Sequence, residues 1–501
     1  MVDVAPGSPD FWLGRLMHRL GERQDRFAKL DRYARGEHDV PDGDRRYVRA
    51  LSDLQKKAKT NYIGLVLKAV TQRMRVKEFK FQGEVDQDAG RFWKANHMEL
   101  QSAIAIADAA KFSESYTLVS PPDEESNGIP VITVEDPRNC IVENDPVRPL
   151  KRLAGLKVYI DDIIQQLVAV LYLPDQILVY YGPKTDLDMC RTGERIAHAG
   201  SAAAGFKLIE VHDNPIGVVP LVRGVWQPES GLAECEDGAF EIQDRINYTM
   251  LKRLIIAKSQ AYRQRLIAGA KIPQTGPNKG KPQFDPGADL VWVVEDPNTK
   301  VFDLQQADIK QLLEAIRDDI GDLAALTQTP VTYLTAHMVN VSGDTLHAAQ
   351  HSHVAKVRRR MDSMGWYFEN VIKLCFQYLG DAKAQEVDAE CHWADPEVRT
   401  MAEMADLVAK FNGIIPLELI MERVGFTADE IKRAILKMEE EKAAQQERDL
   451  ELAERQAAIR AAGSRIPQRS GGGSSGSGGS TNSPSGSGSP KGKPGSQPKK
   501  S

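Results

Sequence analysis

Three neighbouring histidines, His347, His351 and His353, are the residues in this chain best spaced to hold a metal. Positions 347 and 351 stand four apart, so a helix puts both imidazoles on one face. Zinc held in this way needs further His, Cys or carboxylate ligands, and no His-Glu-x-x-His pattern or nearby cysteine supplies them. A polar helix surface outweighs a metal centre here. The nearest approach to a phosphate-cradling loop is Gly276-Pro-Asn-Lys-Gly-Lys281. It has three residues between its glycines where such a loop needs four, and Pro282 stands where a magnesium-binding Ser or Thr belongs. Its lysines read as an exposed basic loop. The acid pairs Asp161-Asp162 and Asp318-Asp319 and the run Glu439-Glu440-Glu441 suit solvated faces better than catalytic dyads. No Gly-x-Ser-x-Gly nucleophile elbow stands in the body of the chain. The five cysteines, Cys140, Cys190, Cys235, Cys375 and Cys391, are odd in number and never form a Cys-x-x-Cys pair, so they read as reduced thiols. The sequence therefore gives no catalytic residues, no metal ligands and no cofactor site; the chain is expected not to be an enzyme.

Composition is that of an ordinary soluble globular protein. A chain of 501 residues with 42% hydrophobic and 27% charged residues exceeds one hydrophobic core and should divide into sub-domains. Its longest apolar stretches, 167–173 and 290–294, are far too short to span a bilayer, and the N-terminus lacks an apolar signal segment. The expectation is a chain neither secreted nor membrane-bound. The net charge is −5, but 464–501 carries six basic residues and no acid, which leaves about −11 on the body. Such a body is a poor clamp for duplex phosphates. It is compatible with enclosing DNA, since an acidic wall repels a duplex and lets it slide.

The pattern predicts an α+β, mainly helical fold. Residues from about 11 to 116 look mainly helical. From Ile129 to about Val225, short β-rich runs (131–134, 156–160, 167–173, 176–181) alternate with turn clusters. Helical spacing returns at 233–261, with Ile242, Ile246, Met250 and Leu254 four apart. A Gly/Pro/Lys-rich loop (269–286) and a strand (290–294) follow. A helix from Asp308 to Leu326 holds Ile309, Leu312, Leu313, Ile316, Ile320, Leu323 and Leu326 on one face and breaks at Thr329-Pro330. A polar loop leads to a third long helix, 344–378. Asp395-Pro396 and Thr427-Ala-Asp-Glu430 are helix starts, and 439–462 is a solvated helix. From Ser470 the Gly/Ser/Pro composition predicts disorder.

Seven motifs in order carry a resemblance. They are Tyr33-Ala-Arg-Gly36-Glu-His38 with Asn61 and the apolar 63–67; Val134-Glu-Asp-Pro137; and Asn214-Pro-Ile-Gly217-Val-Val-Pro220. Ser230 and Gly231 then precede Gln243-Asp-Arg-Ile-Asn247. Thr327-Gln-Thr329-Pro330 with Asn340-Val-Ser342-Gly343, Trp393-Ala-Asp395-Pro396, and Gly413-Ile-Ile-Pro416 with Gly425-Phe-Thr427 complete the series. From about residue 25 to 440 the chain resembles the portal proteins of tailed bacteriophages, in the branch found in long-tailed phages of Gram-positive hosts.

The resemblance implies an architecture of wing, stem, clip and crown. Residues 1–232 would form the wing, helical to about 116 and β-rich over 129–225. Residues 233–261 and 304–326 would be the two stem helices, with the clip, 262–303, between them. Residues 327–343 would be the channel loop facing DNA, with Gln328, Thr329, Tyr333 and Asn340 as its polar contacts. Residues 344–394 would be a long wing helix and its connection, 395–462 the crown, and 463–501 a disordered tail. The clip would carry a basic surface of Arg263, Arg265, Lys271, Lys279 and Lys281. The implied partners are further copies of the chain in a ring of about twelve, double-stranded DNA in the channel, the terminase large subunit, a head–tail adaptor, and the major capsid and scaffolding proteins. No membrane is implied. The implied location is one vertex of the virion, after assembly in the host cytoplasm.

Physical chemistry is compatible with these roles. A stem helix of about 29 residues would be ~43 Å long. Its apolar face exceeds what one chain can cover, which a head-to-tail ring would remedy. Arg358, Arg359 and Arg360 on the third long helix read as pairing with acids of a neighbouring copy or facing solvent. A non-viral, DNA-associated oligomeric scaffold is the rival reading, and the acidic body and lack of any base-reading motif weigh against it.

Overall fold

Ser8 and Pro9 start the first helix: the Ser8 hydroxyl accepts from Phe11 N–H at 3.3 Å, and Pro9 takes the first helical position of α1 (Pro9–Glu22). The computed structural model describes residues 5–39, 48–184, 205–261, 265–268, 300–303, 309–335, 343–397, 406, 408–410, 415–424, 426 and 428–463. α2 (Gln24–Arg35) ends at Gly36, where φ of 79° falls in the left-handed region. α3 (Val48–Ala58) and α4 (Tyr62–Thr71) follow. A Cβ on Gly36 would lie 3.0 Å from Asn61, and Asn61 uses that space. Its amide donates to Ala34 O at 2.9 Å, and its Oδ1 accepts from Gly64 N–H at 2.8 Å, capping α4. Gly36 and Asn61 are thus two halves of one joint between α2 and α4.

The 11–116 region is mainly helical, as its pattern predicts, but strands are set among its helices. α5 (Gln87–Ala95) and α6 (Met98–Phe112) are helices, but β1 (Val76–Phe81), β2 (Glu84–Val85) and β3 (Glu114–Ser120) are strands. β1 alternates only over Phe79-Lys80-Phe81, and its main partner is β13 (Glu390–Trp393), more than 300 residues away. β3 does not alternate because it is buried on both faces.

The β-rich region is as expected, with all pairs antiparallel. β3 lies between β4 (Val131–Glu135) and β10 (Leu221–Val225). A five-stranded sheet runs in the order β5 (Cys140–Asn144), β6 (Arg152–Asp161), β7 (Gln166–Tyr172), β8 (Gln176–Lys184) and β9 (Lys207–Asp213). Leu13, Leu16, Met17 and Leu20 of α1 cover one face of it, against Leu156, Val158 and Leu171.

Three long helices follow. α7 (Ala239–Ala261) starts later than position 233, because 234–238 turn first and Gly238 takes a φ of 77°. α8 (Ile309–Leu326) matches its expected span. Arg245 of α7 reaches Asp319 at 2.7 Å and Asp322 at 2.9 Å on α8, and Phe240 and Ile246 share a core with Ile316, Ile320 and Leu323. Farther along the same pair, Leu254, Ile255, Leu312 and Leu313 are only half-buried. Between the two helices, β11 (Arg265–Ala268) pairs with β12 (Lys300–Asp303). The expected strand 290–294 lies outside the described residues.

After the single turn α9 (Val331–Leu334), α10 (Gly343–Tyr378) runs through the main core with Val357, Met361, Met364, Phe368, Val371 and Phe376. It passes so close to β10 that a Cβ on Gly224 would come within 2.7 Å of the Tyr367 ring. α11 (Leu417–Val424) follows. The helix starts read at Pro396 and Thr427 run into residues outside the described set, although Asp395 Oδ1 accepts from Glu397 N–H at 3.1 Å.

Residues 429–501 separate as a second unit. Its described part is 429–463, within α12 (Ala428–Gly463), with every side chain from Glu439 to Ala458 exposed. That is the solvated helix read from its charge; the tail beyond it lies outside the described residues.

Candidate functional site at the root of the 327–343 segment

α8 closes with paired bonds: Thr329 N–H donates to Ala324 O at 2.9 Å and Gln328 N–H to Ala325 O at 3.2 Å. This double closure needs a left-handed residue, and Gln328 supplies it with φ of 48°, a position usually given to glycine. The Thr327 hydroxyl donates back to Leu323 O at 2.7 Å. Pro330 then forbids continuation and opens the turn α9.

Three cationic or cation-capable side chains converge on this root from distant parts of the chain. Lys356 Nζ donates to Thr327 O at 2.5 Å and to Glu234 Oε1 at 2.6 Å. Glu234 is buried, and its Oε2 also accepts from Trp226 Nε1 at 2.9 Å and from Arg360 Nε at 3.4 Å. His353 lies between two carbonyls, with Nδ1 3.0 Å from Gln328 O and Nε2 3.1 Å from Ala69 O. Arg73, just past α4, donates to the Tyr333 hydroxyl and, at 2.8 Å, to Pro396 O. The C-termini of α4 and α8 both point at this cluster. Helix C-termini carry partial negative charge, so cations belong there. Burial, helped by Lys356 and Arg73, lowers the His353 imidazole from its usual value despite its two carbonyl neighbours.

The candidates read from the sequence divide. Gln328 is exposed. Thr329 is buried, its hydroxyl engaged with Thr327. Tyr333 is half-buried against Arg73 and the His353 ring. Asn340 lies outside the described residues. So do Arg263, Lys271, Lys279 and Lys281; Arg265 stands in β11 opposite Asp303. His351 is exposed on α10 while His353 is buried, so the two do not share a surface. Arg358, Arg359 and Arg360 each reach an acid of their own chain, and Arg358 and Arg359 stay exposed, as a solvent-facing pair would be. Arg358 reaches Asp395 at 3.5 Å, Arg359 reaches Glu229 at 3.2 Å, and Arg360 reaches Glu234.

Sequence reasoning missed Arg73, Glu234, Trp226 and Lys356, because nothing local links positions so far apart. The one available signal was a lysine and an arginine, Lys356 and Arg360, four apart on an otherwise apolar stripe of α10. Chemically the site is an anchor. Among the described residues no group of three or more His, Cys, Asp or Glu side chains could hold a metal, and no helix is long and apolar enough to cross a membrane. Burial pushes the thiols of Cys140, Cys235, Cys375 and Cys391 up, away from reactive thiolate.

Comparison with known sequences identifies a family. Residues 13–448 match the family described as phage portal protein, SPP1 Gp6-like. The portal protein of Mycobacterium phage D29 is 24% identical over 411 residues, covering 77% of this chain and 80% of the relative. That of Mycobacterium phage L5 is 24% identical over 408 residues with the same coverage. A chain from the neck of an empty GTA particle computed with C6 symmetry superposes with a TM-score of 0.42 at 10% identity, covering 77% of this chain and 94% of that one.

Proposed function

This chain belongs to the SPP1 Gp6-like family of phage portal proteins and is a portal-vertex component of the virion, and we propose that its copies close into a ring of about twelve around a DNA channel. The family is structural rather than catalytic. In the proposed ring, 1–232 and 344–394 form the wing, α7 and α8 the stem, 262–303 the clip, and 395–462 the crown. Packaging ATP is hydrolysed by a separate terminase, whose large subunit docks at the clip before a head–tail adaptor takes its place. The major capsid and scaffolding proteins hold the wing, and assembly takes place in the host cytoplasm.

The observation that carries this reading is the α7–α8 pair. One end is knit into the chain's own core by Phe240, Ile246, Ile316 and Leu323. The other end leaves Leu254, Ile255, Leu312 and Leu313 half-buried. A neighbouring pair in a head-to-tail ring covers such a face, and that contact closes when the rotation fits. The 327–343 segment leaves α8 at the fixed root described above and reaches the axis as the channel loop. The acidic body keeps DNA from sticking.

In this arrangement a translocating duplex touches the loop weakly and without regard to sequence, so added positive charge there grips phosphates. Asn340→Arg tests this in a complementation assay that scores filled against empty capsids. The expected result is intact rings with few filled capsids. Normal filling by Asn340→Arg and by a loop-shortened variant would remove the channel role.

A further inference from the structure

We propose that His353 is a positioning residue for the channel loop, one that carries either a single anchor or two according to the protons on its ring. The inference rests on reading 327–343 as that loop. Carbonyl oxygens only accept hydrogen bonds, so the two contacts of His353, to Gln328 O at 3.0 Å and to Ala69 O at 3.1 Å, both form only when both ring nitrogens carry hydrogen. A neutral imidazole has one N–H. With it on Nε2, the ring holds the last turn of α4 and releases the loop root. With it on Nδ1, the ring holds the root and releases α4.

Both acceptors are set up for this choice. Ala69 O sits where the helix ladder fails: its usual donor, Arg73 N–H, bonds Val70 O at 3.2 Å instead. Gln328 O belongs to the left-handed residue that closes α8. The titratable and charged groups facing the ring among the described residues come from three elements. They are Lys356 on α10 itself, Arg73 beyond α4, and Tyr333 on α9, whose ring meets the imidazole edge-on at 5.8 Å. Glu234, in the turn before α7, is directed at Lys356 rather than at the histidine. Two cations and burial disfavour the imidazolium, while two helix C-termini favour it. At neutral pH the ring is therefore neutral and supplies one anchor; acidification supplies the second. Lys356 holds Thr327 O in either state, so the root shifts about a fixed point instead of coming free.

Hydrogen–deuterium exchange of the assembled full-length protein tests this without DNA or packaging, so it fails independently of the channel reading. Exchange in 69–74 and 327–335 is followed from about pH 8 to about pH 5, with strands β6–β8 as the internal reference for intrinsic chemistry. In the unmodified protein the segment that the neutral ring leaves without its anchor is expected to gain protection as pH falls, by about fivefold, the factor one net hydrogen bond carries, while the segment already held changes little. In His353→Gln, which keeps an amide donor but does not titrate, that gain disappears while the reference strands are unchanged. A pH response shared by both proteins, or none in the unmodified protein, would overturn the proposal. Should His353→Gln not assemble, the pH series on the unmodified ring decides alone.

Discussion

Lys356 and Glu234 form a buried ion pair at 2.6 Å that ties the third long helix to the turn before the first. The same ammonium holds Thr327 O, so one side chain fastens the turn before α7 and the end of α8 to α10. Glu234 is the centre of the arrangement: it accepts from Lys356, Arg360 and Trp226, whereas Lys356 serves one acid and one carbonyl.

Removing the acid therefore takes the shared carboxylate from two buried cations and leaves an indole N–H without its acceptor, whereas removing the lysine leaves an acid that still has two donors. Glu234→Ala is expected to destabilise the protein by about 3–5 kcal/mol and Lys356→Met by distinctly less. Denaturant midpoints of the two variants would show it, and an equal loss in both would contradict this account of the cluster.

Gln328 holds a left-handed backbone position at modest cost. Gln328→Gly is expected to raise stability by up to about 1 kcal/mol, because glycine adopts that conformation freely and loses only part of the gain to its freer unfolded chain. Thermal melting checks the sign. The residue also explains a limit of the sequence: with no glycine at the stop, only Pro330 marked the end of the helix.

Particular elements show what the sequence made legible. α8 and α10 came out within about a residue of their expected spans, since their apolar periodicity is local. β1 and β3 did not, because one pairs across the chain and the other is buried on both faces, which erases alternation. Segment order and motifs pointed to the family. The anchors of the loop root stayed hidden because Arg73, Glu234 and Lys356 meet only in the folded chain.

Asp108 gives the protein a pH-dependent liability. Burial raises its carboxyl from 3.8 to about 6, although Lys111 stands 3.7 Å away. A carboxyl whose folded value is raised binds its proton more tightly in the folded state. The fold is thus favoured by acid, and stability falls as pH rises between about 3.8 and about 6. Asp108→Asn is expected to stabilise the protein by about 1–2 kcal/mol above pH ~6, with the gain gone below pH ~4. Melting temperatures across that range test it, and a gain that persists in acid would contradict the assignment.

The proposed ring closes on the half-covered faces of α7 and α8. Electron microscopy of the purified full-length protein, with its mass measured by analytical ultracentrifugation at micromolar concentration and moderate salt, tests it most directly. Closed rings of about a dozen copies with an open centre are expected. A discrete monomer with no annular particles would contradict it.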